Sequence, residues 1–189
     1  MNDRSGDFFA RDAPTVARDL VGWTFLVDGV GGVIVETEAY APDDPASHSY
    51  RGRTRRNTTM FGPGGRLYVY RAYGIHWCAN VVCDEDEVGA AGLLRALEPT
   101  HDVARMRSRR GVDDPTLLCS GPGRLTQALG LSGEHDGADL GCPPYELLRP
   151  RGSVEVVASP RVGITRGADR LWRYAREGST YVSRPRPRA

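Results

Sequence analysis

Glu36 and Glu38 stand two residues apart in the apolar run VETEAY, with Tyr40 two residues further on. Side chains alternate across a strand, so an extended backbone here turns all three to one face. Along that face the carboxylates lie about 7 Å apart, from a rise of roughly 3.3 to 3.4 Å per residue. Carboxylates so spaced can divide acid and base work in a hydrolysis, bind a divalent ion, or form the polar face of an exposed strand. A group of aromatics follows in YVYRAYG: Tyr68 and Tyr70 alternate on a second strand, and Tyr73 falls at a turn expected over Arg71 to Gly74. Such rings stack on nucleobases at about 1 to 3 kcal/mol per base, and an aromatic wedge can fill the gap left by an everted base.

Other residues sit where their type is costly. Arg95 interrupts the apolar run LLRAL and needs a carboxylate or a bound anion if buried, with Glu36 and Glu38 the candidates. Asn80 lies in CANVVC, and its amide needs partners there, from a neighbouring strand or from a base. All 25 basic side chains are arginine, since the sequence contains no lysine; this removes an internal lysine as a Schiff-base nucleophile. The net charge of +1 is unevenly spread, with arginines gathered in RGRTRR (residues 51–56), around 105–110 and near the C-terminus. A nearly neutral chain so patterned can still turn a basic face to an anionic polymer. The four cysteines form no CxxC pair and no zinc-like grouping with the four histidines.

The elements that must position these residues can be read along the chain. A length of 189 residues with 40% hydrophobic content suits one globular domain. No apolar run approaches the roughly 20 residues of a membrane span, and the start MNDRSGDFFARD is too polar for a signal-peptide core, so a soluble, cytoplasmic protein is expected. Asp12 can cap a short helix with Pro14 in its first turn, and Asp28-Gly29 makes a hairpin of the run that ends in VETEAY. Residues 41–63 read as a long irregular segment holding His48, of the kind that is usually functional or disordered. Thr100 can cap a helix ending at Gly111, and Ser120 one ending at Gly130; the amides at the second start, with Arg124, could hold a phosphate. The end of the chain, from about residue 183, reads as a loose tail.

Taken in order, VETEAY, YVYRAYG with its following strand to Asn80, LLRALEP, CSGPGRL and SPRVGI resemble the alkyladenine (3-methyladenine) DNA glycosylase family, over nearly the whole chain. The resemblance implies an α+β fold: a single compact domain with a curved, mainly antiparallel sheet, a protruding β-hairpin and peripheral helices. It implies a monofunctional base-excision enzyme without metal or cofactor, acting as a monomer on double-stranded DNA that contains alkylated or deaminated purines. By motif, Glu38 is similar to the family's general base for the attacking water, held with help from Arg95 and the Val162 carbonyl. Tyr40, His48 and Tyr70 would form the base pocket, Asn80 would exclude normal guanine, and Tyr73 would be the wedge. Arg51, Arg53, Arg55 and Arg124 are the backbone-contact candidates, and Glu36 becomes a supporting residue. Arg124 departs from the lysine expected at its position in many members. Two other readings of the same residues are a non-catalytic damaged-DNA binder and a sugar or nucleoside hydrolase using both glutamates.

Overall fold

Eight strands, paired antiparallel throughout, form one curved sheet in the computed structural model, which describes residues 6–185. They are β1 (Thr24–Val27), β2 (Val30–Tyr40), β3 (Leu67–Ala72), β4 (His76–Cys83), β5 (Ala90–His101), β6 (Tyr145–Leu148), β7 (Val156–Ser159) and β8 (Arg173–Arg176). The order is β3-β4-β5-β2-β1-β6, and β8, carrying β7, joins the edge of β2 beyond the end of β1. A single turn, α1 (Gly6–Phe9), precedes three helices of eight residues, α2 (Ala13–Leu20), α3 (Val103–Arg110) and α4 (Pro122–Leu129). The expected α+β class with a protruding hairpin, here β3-β4, is what the structure shows.

The helices bury one face of the sheet. Asp12 caps α2 by accepting from the Thr15 amide at 3.0 Å, and Val16, Ala17 and Leu20 pack with Ile34, Ala39 and Leu94 in the main core. Complete burial of each larger aliphatic side chain contributes about 1.5 to 3 kcal/mol. Asp28 and Gly29, both at positive φ, close the β1-β2 hairpin as expected. No helix among the described residues is long and apolar enough to cross a membrane.

Three local expectations are corrected. Strand β5 continues through Thr100 to His101, and Asp102, at φ +45°, caps α3 by accepting from the Arg105 amide. Aspartate tolerates that left-handed turn better than threonine, whose branched Cβ crowds it. The N-cap of α4 is Gly121 at φ +135°, not Ser120, whose hydroxyl accepts from Arg124 at 3.1 Å. Finally, Ser183 is buried and bonded into the sheet rather than opening a loose tail; residues 186–189 of that tail lie outside the described residues.

Two bulges decide which face carries the carboxylates. Upstream in β2, the even positions Val30 and Ile34 belong to the helix-side core, and strict alternation would send Glu36 and Glu38 after them. Opposite β5, the pairing jumps from Ile34↔Leu97 to Glu36↔Ala96, leaving Val35 extra, and then to Thr37↔Leu94, leaving Arg95 extra. After this shift Thr37 and Ala39 face the helices, with the Thr37 hydroxyl on the Ala17 carbonyl at 2.6 Å. Glu36, Glu38 and Tyr40 take the opposite face, where Arg95 meets them.

Candidate active site

On that opposite face a cleft of about 750 Å3 opens between the β3-β4 hairpin, the start of α4 and the loop after β7. Its lining includes Tyr40, His48, Tyr70, Asn80, Arg95 and Val162. Glu38 lies beneath this lining, fully buried, with its carboxylate bonded to three of the residues above it. One oxygen accepts from the Val162 amide at 2.8 Å; the other accepts from the Tyr40 hydroxyl at 2.9 Å and from the Arg95 guanidinium at 3.3 Å. Val162 thus meets Glu38 through its N–H, a different group from the carbonyl that the resemblance implies for holding the water.

Glu36 is bonded differently. It accepts from Arg95 Nε at 2.9 Å, Arg173 Nε at 2.6 Å, the Ser183 amide at 2.5 Å and the Ser183 hydroxyl at 2.8 Å. Arg95 also reaches the Ser183 hydroxyl, and Arg173 the carbonyls of Ser183 and Pro185. Two carboxylates and two guanidinia therefore balance in charge under the cleft, with most of their polar groups bonded. Arg95 spans both glutamates. Its charged form is favoured because the attraction of Glu38 and then Glu36 outweighs the opposing effect of burial, the largest single influence. Arg173 and Ser183 escaped the sequence reading, since they lie 137 and 147 residues from Glu36 in stretches without periodicity.

The aromatic wall comes from β3 and the 41–63 segment. Tyr68 and Tyr70, offset stacked at 5.5 Å between centroids, present a platform, with the His48 ring edge-on to Tyr70 at 4.4 Å. His48 Nδ1 is 2.9 Å from the Tyr68 hydroxyl. His48 as a residue is exposed, yet its ring edge is partly desolvated; that effect first, and nearby Arg56 second, lower its pKa. Burial pushes the Tyr68 hydroxyl up to about 12, and burial, with smaller contributions from Cys78 and others, raises Tyr70 further. Tyr40 is likewise pushed far up by burial, with Glu38 adding to the effect. The irregular segment that delivers His48 is organised by buried Asn57. Its amide donates to the carbonyls of His48 and Gly52, and its side-chain oxygen accepts from Thr54.

Asn80 is buried beside the wall and donates to the Tyr68 carbonyl at 3.0 Å, which fixes the side-chain amide. Tyr73 stands at the hairpin tip, 90% exposed and at φ +51°, two residues before the also exposed Ile75. A bulky aromatic in the left-handed region of the backbone is strained, and among the described residues little packs on this exposed ring to offset it. Arg124 lies at the cleft rim by α4. Arg51 and Arg55 are exposed on the 41–63 segment, while Arg53 is engaged by Glu87 at 2.6 Å.

Arg161 and Asp44 were not singled out from the sequence. Both are fully buried and form a two-armed ion pair, and Arg161 further donates to the carbonyls of Ala39 at 2.8 Å and Gly167 at 3.1 Å. The pair thereby ties the end of β2 to the 41–47 loop and to the loop carrying Val162.

Comparison with known proteins gives the chain its family. The profile of the methylpurine-DNA glycosylase family matches residues 7–180. Among similar proteins provisionally named 3-methyladenine DNA glycosylase, one from Rhodopseudomonas palustris (strain HaA2) is 57% identical over 94% of this chain and 89% of its own length. Another, from Agrobacterium fabrum, is 55% identical over 94% of this chain and 90% of its own length. A match spanning nearly every element that builds the cleft leaves one assignment: the chain belongs to the methylpurine-DNA glycosylase family.

Proposed function

We propose that the protein is a monofunctional DNA glycosylase that turns an alkylated or deaminated purine out of duplex DNA and hydrolyses its N-glycosidic bond. The observation that carries this reading is the carboxylate of Glu38, aimed by Val162, Tyr40 and Arg95 beneath an aromatic-lined cleft with an exposed aromatic at its lip. Family membership supports the same activity.

In this mechanism Tyr73 enters the base stack as the target nucleotide leaves it, and exposed Arg51 and Arg55, together with Arg124 at the rim, contact backbone phosphates; Arg53 joins them if it exchanges Glu87 for phosphate. The base stacks between Tyr40 and the His48-Tyr70 wall. Asn80, anchored on the Tyr68 carbonyl, cannot swing away from an exocyclic 2-amino group, which disfavours normal guanine. A carboxylate has about four acceptor positions, so Glu38 with three donors keeps capacity to accept from a water. The 3.3 Å contact from Arg95 is the longest of the three and the place where a water can share the carboxylate. As the C1′–N bond breaks, its electron pair leaves with the base, the water oxygen bonds to C1′, and the water proton passes to Glu38. A cationic alkylated purine departs neutral, so stacking and water activation suffice for it.

The test is incubation of the purified protein with duplexes carrying 7-methylguanine, hypoxanthine or ethenoadenine, in the presence of EDTA, followed by alkaline cleavage at abasic sites. Base release from at least one lesion, with no strand cleavage before alkali, is expected. Tight lesion binding with no release from any of them would instead identify a damaged-DNA binder.

A further inference from the structure

Tyr40 has a second neighbour that the base-release chemistry does not use. The Arg161 guanidinium lies over its ring, 4.8 Å from the centroid. The Arg161 side chain is fully buried and forms no part of the cleft, so it covers the face of Tyr40 turned away from the base. A ring holding a cation on one face is a poorer platform for a second cation on the other, because both draw on the same electron cloud. Asp44, paired with both terminal nitrogens of Arg161, cancels that charge at its source.

The other charges near Tyr40 are already matched. Glu36 and Glu38 face Arg95 and Arg173, and beyond Trp172 Arg170 is held by Asp43 at 3.0 Å. Asp44 is therefore the carboxylate whose removal leaves an unbalanced cation directly behind the pocket wall.

We propose that Asp44 is a specificity-determining residue: by neutralising Arg161 behind Tyr40, it lets the pocket hold a cationic purine as readily as a neutral one. The inference rests on the reading of the cleft as a base pocket. A base stacked on Tyr40 would stand about 8 Å from the guanidinium. At an effective dielectric of about 20, an unneutralised charge at that range opposes a cationic base by roughly tenfold or more in affinity, and leaves a neutral base almost untouched. The penalty falls on the bound, still-cationic base and is relieved as the base departs neutral. It should therefore raise the half-saturating concentration and leave the maximal rate unchanged or higher.

The experiment is single-turnover base release from duplexes carrying 7-methylguanine or hypoxanthine, by the wild-type protein, Asp44→Asn, and the double variant Asp44→Asn/Arg161→Gln. In Asp44→Asn the half-saturating concentration for 7-methylguanine, relative to that for hypoxanthine, should rise about tenfold, and the double variant should restore the wild-type ratio. An equal loss on both lesions, or a ratio that the second substitution does not restore, would overturn the proposal and leave Asp44 a purely structural partner. If Asp44→Asn does not fold, Arg161→Gln carries the same test with the sign reversed, and a ratio unmoved in it also overturns the proposal. Absence of release by the wild-type protein from both duplexes would instead count against the glycosylase reading itself.

Discussion

The amide of Val162 donates to the carboxylate of Glu38 at 2.8 Å across 124 residues of sequence. That bond joins the loop after β7 to the C-terminal end of β2, and with it the two sides of the cleft. It also constrains Glu38 in a way that a side chain free to rotate in solvent would not be.

Replacing Glu38 with glutamine keeps the volume and removes the proton acceptor. Base release should fall by about 10² to 10⁴-fold, while affinity for lesion-containing duplex is retained. Single-turnover release and equilibrium binding measured on the same duplex check both halves; turnover close to wild type would remove Glu38 as the base.

Tyr73→Ala should separate stability from function. The ring is 90% exposed and its backbone is strained, so the melting temperature should hold, while lesion affinity and the fraction of everted base drop. Thermal melts and the fluorescence of a base analogue at the target site report the two. A variant unchanged in both affinity and eversion would discard the wedge.

Ser183→Ala removes a hydroxyl that donates to Glu36 and accepts from Arg95. Leaving buried polar groups short of a partner should cost about 1 to 3 kcal/mol of stability. Urea denaturation gives the number, and a change within error would show that the C-terminal segment is not held through this hydroxyl.

His48 gives a pH dependence with a definite sign. Its pKa in the folded protein is depressed below the ordinary 6.5, so its contribution to stability is present above that value and lost as pH falls toward the folded-state pKa. The stability of the wild type relative to His48→Gln should therefore decline as pH is lowered below about 6.5 and stay flat above it. Melts of both proteins across that range provide the check; parallel curves would show that desolvation at the pocket does not reach the imidazole.

Much of this arrangement is legible in the sequence, for reasons particular residues make clear. Period-two spacing placed Glu36, Glu38 and Tyr40 together, and the cost of a buried guanidinium tied Arg95 to them. The positive-φ pair Asp28-Gly29 gave the hairpin that contains their strand. Spacing alone did not show which face they take, because that depends on two bulges, at Val35 and Arg95, that no local pattern marks as breaks in the ladder. Asp44, Arg161, Arg173 and Ser183 were missed for another reason. Their partners are 117 to 147 residues away, and no local pattern marks a charge that will meet its counterpart only after folding.

The paired bulges carry a final consequence for how this strand can change. Upstream of Val35 the helix-side core reads the even positions of β2, and downstream it reads the odd ones. Losing Val35 alone would put the two halves in the same parity, and Ile34, Thr37 and Ala39 would then alternate regularly onto the helix side. Keeping Val35 but drawing it into regular alternation would instead turn Glu36 and Glu38 toward the helices. The chemistry of this protein thus depends on Val35 standing outside the alternation of β2 as much as on the glutamates themselves, and loss of that one residue should leave both glutamates on the cleft face.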